Sequence, residues 1–372
     1  MNIQPRRVQV GNQMTEQVYR DLRQNINATA VKKFISDREG FVKEFIYGDV
    51  PERKESAATT MGSIVHCLIL EKEQFEEKYT ITQMTPPTGQ MLELVNEMYR
   101  IDRRTRGADG KQEVQFETVF MDAVQEVKFR GGIEEVAFKK KTPEWILAKF
   151  TEPDKDSGVS PEQYYRELLQ NTDKTVVTIF QIQKAEDIVN EMKGNEWISG
   201  WVNAVSTDTI DVYNEYPIVF EYKTLQMKSL IDRIIVNHTD RTVEILDIKS
   251  TWDGDGVPYT YVKNMWYVQT GMYYLAVYSW MVENGLVGYT IEPIRWLICD
   301  TTGYMRSVSY ACTVEDVKLA LHGFTLQSGK RCTGVYEALD EIIWCMENSE
   351  WKSTKSTIEK QGNLTLDIQY AQ

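Results

Sequence analysis

The stretch that decides the fold is Ser229-Leu-Ile-Asp232-Arg-Ile-Ile-Val-Asn-His-Thr-Asp-Arg-Thr-Val-Glu-Ile-Leu-Asp247-Ile-Lys249-Ser-Thr251. Residues 227–236 and 243–249 have strand length and β-branched content, and Asn237-His238-Thr239-Asp240 supplies turn chemistry between them. A preceding strand is predicted at 216–223. Residues two apart in a strand share a face, so Asp247 and Lys249 point the same way. Pairing of the hairpin sets Asp232 alongside Asp247. Two acids that close within an apolar sheet repel each other, and a divalent cation satisfies both. The same residues also fit a surface hairpin with a cross-strand Asp–Lys pair.

Outward from the hairpin the pattern turns helical on both sides. Upstream, Met61, Ile64, Val65, Leu68 and Ile69 recur at helical spacing, and His66 lies one turn beyond Gly62 on the same face. A histidine so placed serves equally as a core residue or a ligand. Downstream, a helix predicted over about 260–283 carries Gln269 and Tyr273 at i, i+4. Core packing is the alternative reading for that pair. Strands at 293–299 and 305–311 and helices at 314–322 and 333–348 complete this half. Near the start, residues 14–47 read as helical, with Asn27 as a cap for a helix beginning at Ala28. Residues 86–160 differ in texture: Pro86-Pro87, a basic run from Arg100 through Arg103 and Arg104 to Arg106, a turn at Gly107-Ala108-Asp109-Gly110, and Lys139-Lys140-Lys141. The organisation expected is one α/β domain over 1–352, with a mainly helical insertion at about 86–160 and a sheet at about 210–311. Helical patterning runs through 161–204, and 353–372 is a polar tail.

The chain has 372 residues, 42% hydrophobic and 26% charged, which excludes wholesale disorder. No apolar run approaches the roughly 18–20 residues of a membrane span, and the first residues lack the apolar core of a secretory signal. A cytoplasmic protein is expected. With 42 basic and 55 acidic residues the net charge is −13, so any contact with nucleic acid must rest on local basic patches. Five scattered cysteines point to free thiols rather than a disulfide framework, and without a Cys-x-x-Cys no iron–sulfur cluster is expected. The segment Gly323 to Arg331 lacks Walker A spacing, Gly254-Asp-Gly256 lacks the third glycine of a dinucleotide loop, and no Gly-x-Ser-x-Gly occurs.

In this chain order, Gly62/His66, Asp232, Asp247-Ile248-Lys249 and Gln269/Tyr273 resemble the motifs of the RecB-like PD-(D/E)XK nucleases, most closely the exonuclease VIII (RecE) type of phages and prophages. The stretches Ile26-Asn-Ala-Thr-Ala-Val-Lys-Lys-Phe34 and Met61 to Glu71 are similar to that family's opening. The resemblance covers about 26–82 and 180–350 and does not extend to 86–160. Leu230 stands where many relatives carry a basic residue, with Arg233 following the aspartate instead. The resemblance implies a restriction-endonuclease-like core, a central mixed β-sheet flanked by helices, and Mg²⁺-dependent hydrolysis of linear double-stranded DNA in the 5′→3′ direction. It implies Asp232, Asp247 and the Ile248 carbonyl as metal ligands, His66 completing the shell, and Glu221 as an additional acidic ligand. Mn²⁺ is expected to substitute for Mg²⁺. Lys249 would orient or help activate water, Gln269 would position the nucleophile or Lys249, and Tyr273 would touch substrate. Implied partners are double-stranded DNA ends, a single-strand annealing protein and further copies of the chain in a ring, in a bacterial host's cytoplasm if the chain is phage-encoded. Arg100, Arg103, Arg104, Arg106, Lys139, Lys140 and Lys141 are the basic candidates for a DNA path. Two other readings stay open: a structure-specific or restriction-type endonuclease, and a noncatalytic DNA-end-binding module of the same fold.

Overall fold

The computed structural model describes residues 16–22, 24–50, 57–106, 114–129, 142–171, 173–303 and 305–364. The chain forms two units, one of residues 1–71 with 187–372 and the other of 72–186, which contains the segment of distinct texture. The first unit opens with helices α1 (Glu16–Asp21), α2 (Ala28–Ser36), α3 (Arg38–Phe41) and α4 (Ala57–Leu70). Asn27 caps α2, its side chain accepting the Ala30 N–H at 2.8 Å.

The second unit contains α5 (Phe75–Lys78), β1 (Tyr79–Thr82), α6 (Gly89–Arg106), α7 (Phe116–Phe129), α8 (Pro143–Thr151), α9 (Pro161–Gln170) and β2 (Thr175–Thr178). Its helices close around Leu94, Met98, Phe120, Ile146, Phe150 and Tyr165. Strand β2 departs from the helical reading of 161–204. It pairs in parallel with β1, from the far end of the unit, and that distant partner decides its conformation. Helix α10 (Ile179–Gly194) follows, then α11 (Ser199–Val202).

The chain next lays down β3 (Ile210–Tyr222), β4 (Leu225–Asn237) and β5 (Thr242–Thr251) as successive antiparallel strands. Helices α12 (Val257–Lys263) and α13 (Trp266–Glu283) carry it to β6 (Thr290–Ile291), β7 (Ile294–Asp300) and β8 (Val308–Cys312). The predicted single helix over 260–283 is broken because Met265 takes a left-handed conformation, φ 51°. The sheet order is β3-β4-β5-β7-β8; β5 and β7 run parallel and the other neighbours antiparallel, so the sheet is mixed. Helices α14 (Val314–His322) and α15 (Val335–Asn348) join α2 and α13 around a core that includes Phe41, Phe220, Met227, Ile245, Met272, Trp296 and Leu339. The architecture is α/β, a central mixed sheet flanked by helices. The start of the polar tail is more ordered than its composition predicts, because Thr354 caps a short α16 (Lys355–Glu359). Among the described residues no helix is long and apolar enough to cross a membrane. The five cysteines are free and buried.

Helix α4 meets the sheet at Gly62, where an added Cβ would lie 2.7 Å from Ser250 Oγ on β5. The missing side chain sets how closely α4, and with it His66, approaches the strand. Gly62→Ala should cost about 1 kcal/mol, the low end for overpacking, because the small hydroxyl can rotate away. Adding Ser250→Ala should recover that loss in denaturant melts.

Candidate active site

The β4–β5 ladder runs from Asn237↔Thr242 to Arg233↔Leu246 and stops there. The next pair in that register is Asp232 and Asp247. Instead of a cross-strand backbone bond, the Ile248 N–H donates to Asp232 Oδ2 at 2.8 Å. On the other side of β4, the ladder passes from Tyr216↔Ile231 to Asn214↔Arg233, which leaves Glu215 beside Asp232. Glu215 has φ 44°, a left-handed conformation that a non-glycine residue adopts at a cost of about 1–3 kcal/mol. The strained position turns a third carboxylate toward the break in the sheet.

His66 on α4 bridges two of these acids. Its Nε2 lies 2.7 Å from Asp232 Oδ2 and its Nδ1 2.7 Å from Glu215 Oε1. One donor atom from each of His66, Glu215 and Asp232 falls within 4.8 Å of the others. From α13, Gln269 Nε2 donates to Asp247 Oδ1 at 2.7 Å and the Tyr273 hydroxyl donates to the same oxygen at 3.1 Å. Lys249 makes an ion pair with Asp247 Oδ2 and lies over the Trp296 ring, 5.3 Å from its centroid. Asp247 is fully buried, so this ion pair is made out of reach of solvent on the carboxylate side.

The charges are strongly coupled. Burial, and then the neighbouring Asp232, push Asp247 up to about 6. Burial would raise Asp232 as well, but the charge and hydrogen bond of His66 hold it below the usual carboxylate range. Burial would lower His66, yet Asp232 and Glu215 together raise it to about 10. Burial raises Glu215 against the opposing pull of His66. Lys249 would be lowered by burial and is instead raised by Asp247 and Asp232. His66 therefore sits as an imidazolium between the Asp232 and Glu215 side chains, in the place where a cation would satisfy them. Asp232, Glu215 and a deprotonated His66 form a donor set suited to a divalent cation.

Asp232, Asp247, Lys249, His66, Gln269 and Tyr273, all singled out in the sequence, are brought together here, and Ile248 contributes its amide. Gln269 and Tyr273 are placed differently from expectation: both hold Asp247, and Tyr273 is buried. Glu221 is a correction. It pairs with Gln226 at 2.6 Å near the β3–β4 turn, about 20 Å along the strand from the cluster at strand rise. Glu215 takes the position beside Asp232. Counting back from the two-residue turn Lys223-Thr224 puts 215 opposite 232, and that register is the signal that would have found it. Arg233 is buried and donates to the Trp201 and Val202 carbonyls at 2.6 and 2.7 Å. In the second unit, Arg100 pairs with buried Glu97 and Arg106 with buried Asp102, while Arg103 and Arg104 are exposed. Lys139, Lys140 and Lys141 lie outside the described residues.

No family model matches the chain, and no curated protein matches it. Among solved structures the chain is similar to a crystal structure from Eubacterium rectale, provisionally described as an exonuclease. The two share 14% identity over 96% of each chain, with a TM-score of 0.43. A likeness that slight carries no argument for function.

The two glutamates separate the possible ligand sets. In calorimetric titrations with Mn²⁺, Glu215→Gln should weaken binding at least about tenfold, the effect expected at the margin of a metal site. Glu221→Gln should leave affinity unchanged.

Proposed function

We propose that this chain is a metal-dependent deoxyribonuclease with a PD-(D/E)XK core, an exonuclease hydrolysing phosphodiester bonds of linear double-stranded DNA. The observation that carries this reading is the convergence of Asp232, Asp247 and Lys249, from two adjacent strands, with His66 and Glu215 at one break in the sheet. The proposed cofactor is Mg²⁺, replaceable by Mn²⁺, held by Asp232, Glu215 and His66 with Asp247 Oδ2 adjacent. Such an ion, when bound, lowers the pKa of water and neutralises charge on the phosphate.

The side chains supply the rest. Asp247 and Asp232 raise Lys249 against the effect of burial, which suits it to orient water and to offer positive charge to a phosphate oxygen. Gln269 and Tyr273 fix Asp247 through Oδ1 and leave Oδ2 directed at the lysine. His66 would hold such an ion in its deprotonated form, through a ring nitrogen. Exposed Arg103 and Arg104 are the described basic candidates for a DNA contact on an otherwise acidic chain. The 5′→3′ polarity, a ring of copies, a single-strand annealing partner and phage-type recombination are proposed on the motif resemblance alone, and a cytoplasmic setting on the sequence composition.

The test uses purified protein with Mg²⁺ on linear, nicked and covalently closed duplexes labelled at either end. Linear DNA should be degraded from its 5′ ends, closed circles spared, and a chelator should stop the reaction. Asp247→Ala should reduce the rate by orders of magnitude while the protein stays folded. Efficient cutting of closed circles would make the enzyme an endonuclease. DNA-end binding with no metal-dependent hydrolysis would make the chain a noncatalytic module.

A further inference from the structure

We infer that Lys32, on helix α2, belongs to the same site and holds a phosphate of the DNA backbone, its ammonium taking a non-bridging oxygen beside the bond that Lys249 faces. This assignment rests on the nuclease reading and adds a residue to it.

Helix α2 is registered against two of the elements that carry the cluster. Its start is tied to β4, because the Ile26 N–H donates to the Gln226 carbonyl and the Lys228 N–H donates to the Ile26 carbonyl, each at 2.9 Å. Its body packs on α13, the helix of Gln269 and Tyr273. Val31 and Phe34 are buried in the shared core, and Lys33 is paired with Asp37 at 2.9 Å. Lys32 is different. It is half-buried, and among the described residues its ammonium has neither a hydrogen bond nor an ion pair. The charges that act on it are Lys249 and Asp247.

The nearby acids are already engaged. Asp232 accepts from His66 and Ile248, Glu215 from His66, and Asp247 from Gln269 and Tyr273 while facing Lys249. Burial, and then the Lys249 charge, bring Lys32 down to about 8. A half-buried ammonium set near a second ammonium, with the opposing Asp247 charge already paired to Lys249, is unfavourable in the free protein. An arriving anion removes that cost, and a compact ammonium suits a phosphate oxygen as a point charge. The lysine stem would serve packing equally well without its charge, so a neutral isostere separates the two roles.

The experiment compares wild type, Lys32→Met and Lys32→Arg on linear duplex DNA with Mg²⁺, measuring kcat and KM over a series of salt concentrations and melting each protein. Lys32→Met should raise KM about tenfold, as loss of one phosphate contact does, and make the dependence of log(1/KM) on log salt shallower by about 1. Lys32→Arg should restore both. Lys32→Met should melt no lower than wild type, since it removes an unpaired charge. Unchanged KM and salt slope in an active Lys32→Met enzyme would overturn this assignment alone. A loss of affinity that tracks lost stability and is not rescued by arginine would overturn it too. A wild-type protein without metal-dependent hydrolysis would overturn the nuclease reading and this assignment together.

Discussion

Everything in this site depends on three carboxylates held at one break in an apolar sheet. Asp247 is fully buried, Asp232 nearly so, and Glu215 reaches them from a strained backbone position. Carboxylates in such surroundings ionise only if opposite charge and donors are fixed around them. The local structure supplies both: the β4–β5 ladder opens so that Ile248 N–H caps Asp232, His66 bridges Asp232 and Glu215, and Lys249, Gln269 and Tyr273 close on Asp247. Removing one partner of a buried pair leaves the other uncompensated, at about 3–5 kcal/mol. The arrangement is hard to account for as a device for stability, since an apolar break would fold as well, and that imbalance points to chemistry.

Much of this was legible in the sequence because it follows from short periods. The hairpin reads from β-branched runs around Asn237–Asp240, and its register alone brings Asp232 toward Asp247 with Lys249 on the same face. Gly62 and His66, or Gln269 and Tyr273, follow from one helical turn. Their destinations do not. That Tyr273 reaches Asp247 rather than substrate depends on how α13 lies on the sheet, which no local pattern encodes. Glu215 escaped because its role depends on counting through a two-residue turn and on a left-handed residue inside a strand. Glu221 is implied by the family resemblance alone, and the ladder register sets it six residues away from the position beside Asp232. Strand β2 escaped for the same physical reason, since its partner lies across the whole second unit.

Charge organises the remaining inferences. With a net charge of −13, the proposed contact with a polyanion would need cations at chosen places, and the structure sorts the candidates by their partners. Arg100 and Arg106 neutralise buried acids, and Arg233 serves backbone carbonyls inside the fold. Lys249 is committed to Asp247, whereas Lys32 has no hydrogen-bond or ion-pair partner among the described residues.

The central claim is that Asp232, Glu215 and His66 enclose a divalent cation that displaces the imidazolium proton. Anomalous diffraction from crystals grown with Mn²⁺ tests it most directly. The account predicts one strong peak within about 2.5 Å of Asp232 and Glu215 carboxylate oxygens and of a His66 ring nitrogen. A cluster that stays closed by the histidine at saturating Mn²⁺, with the metal absent or bound only elsewhere, would contradict it.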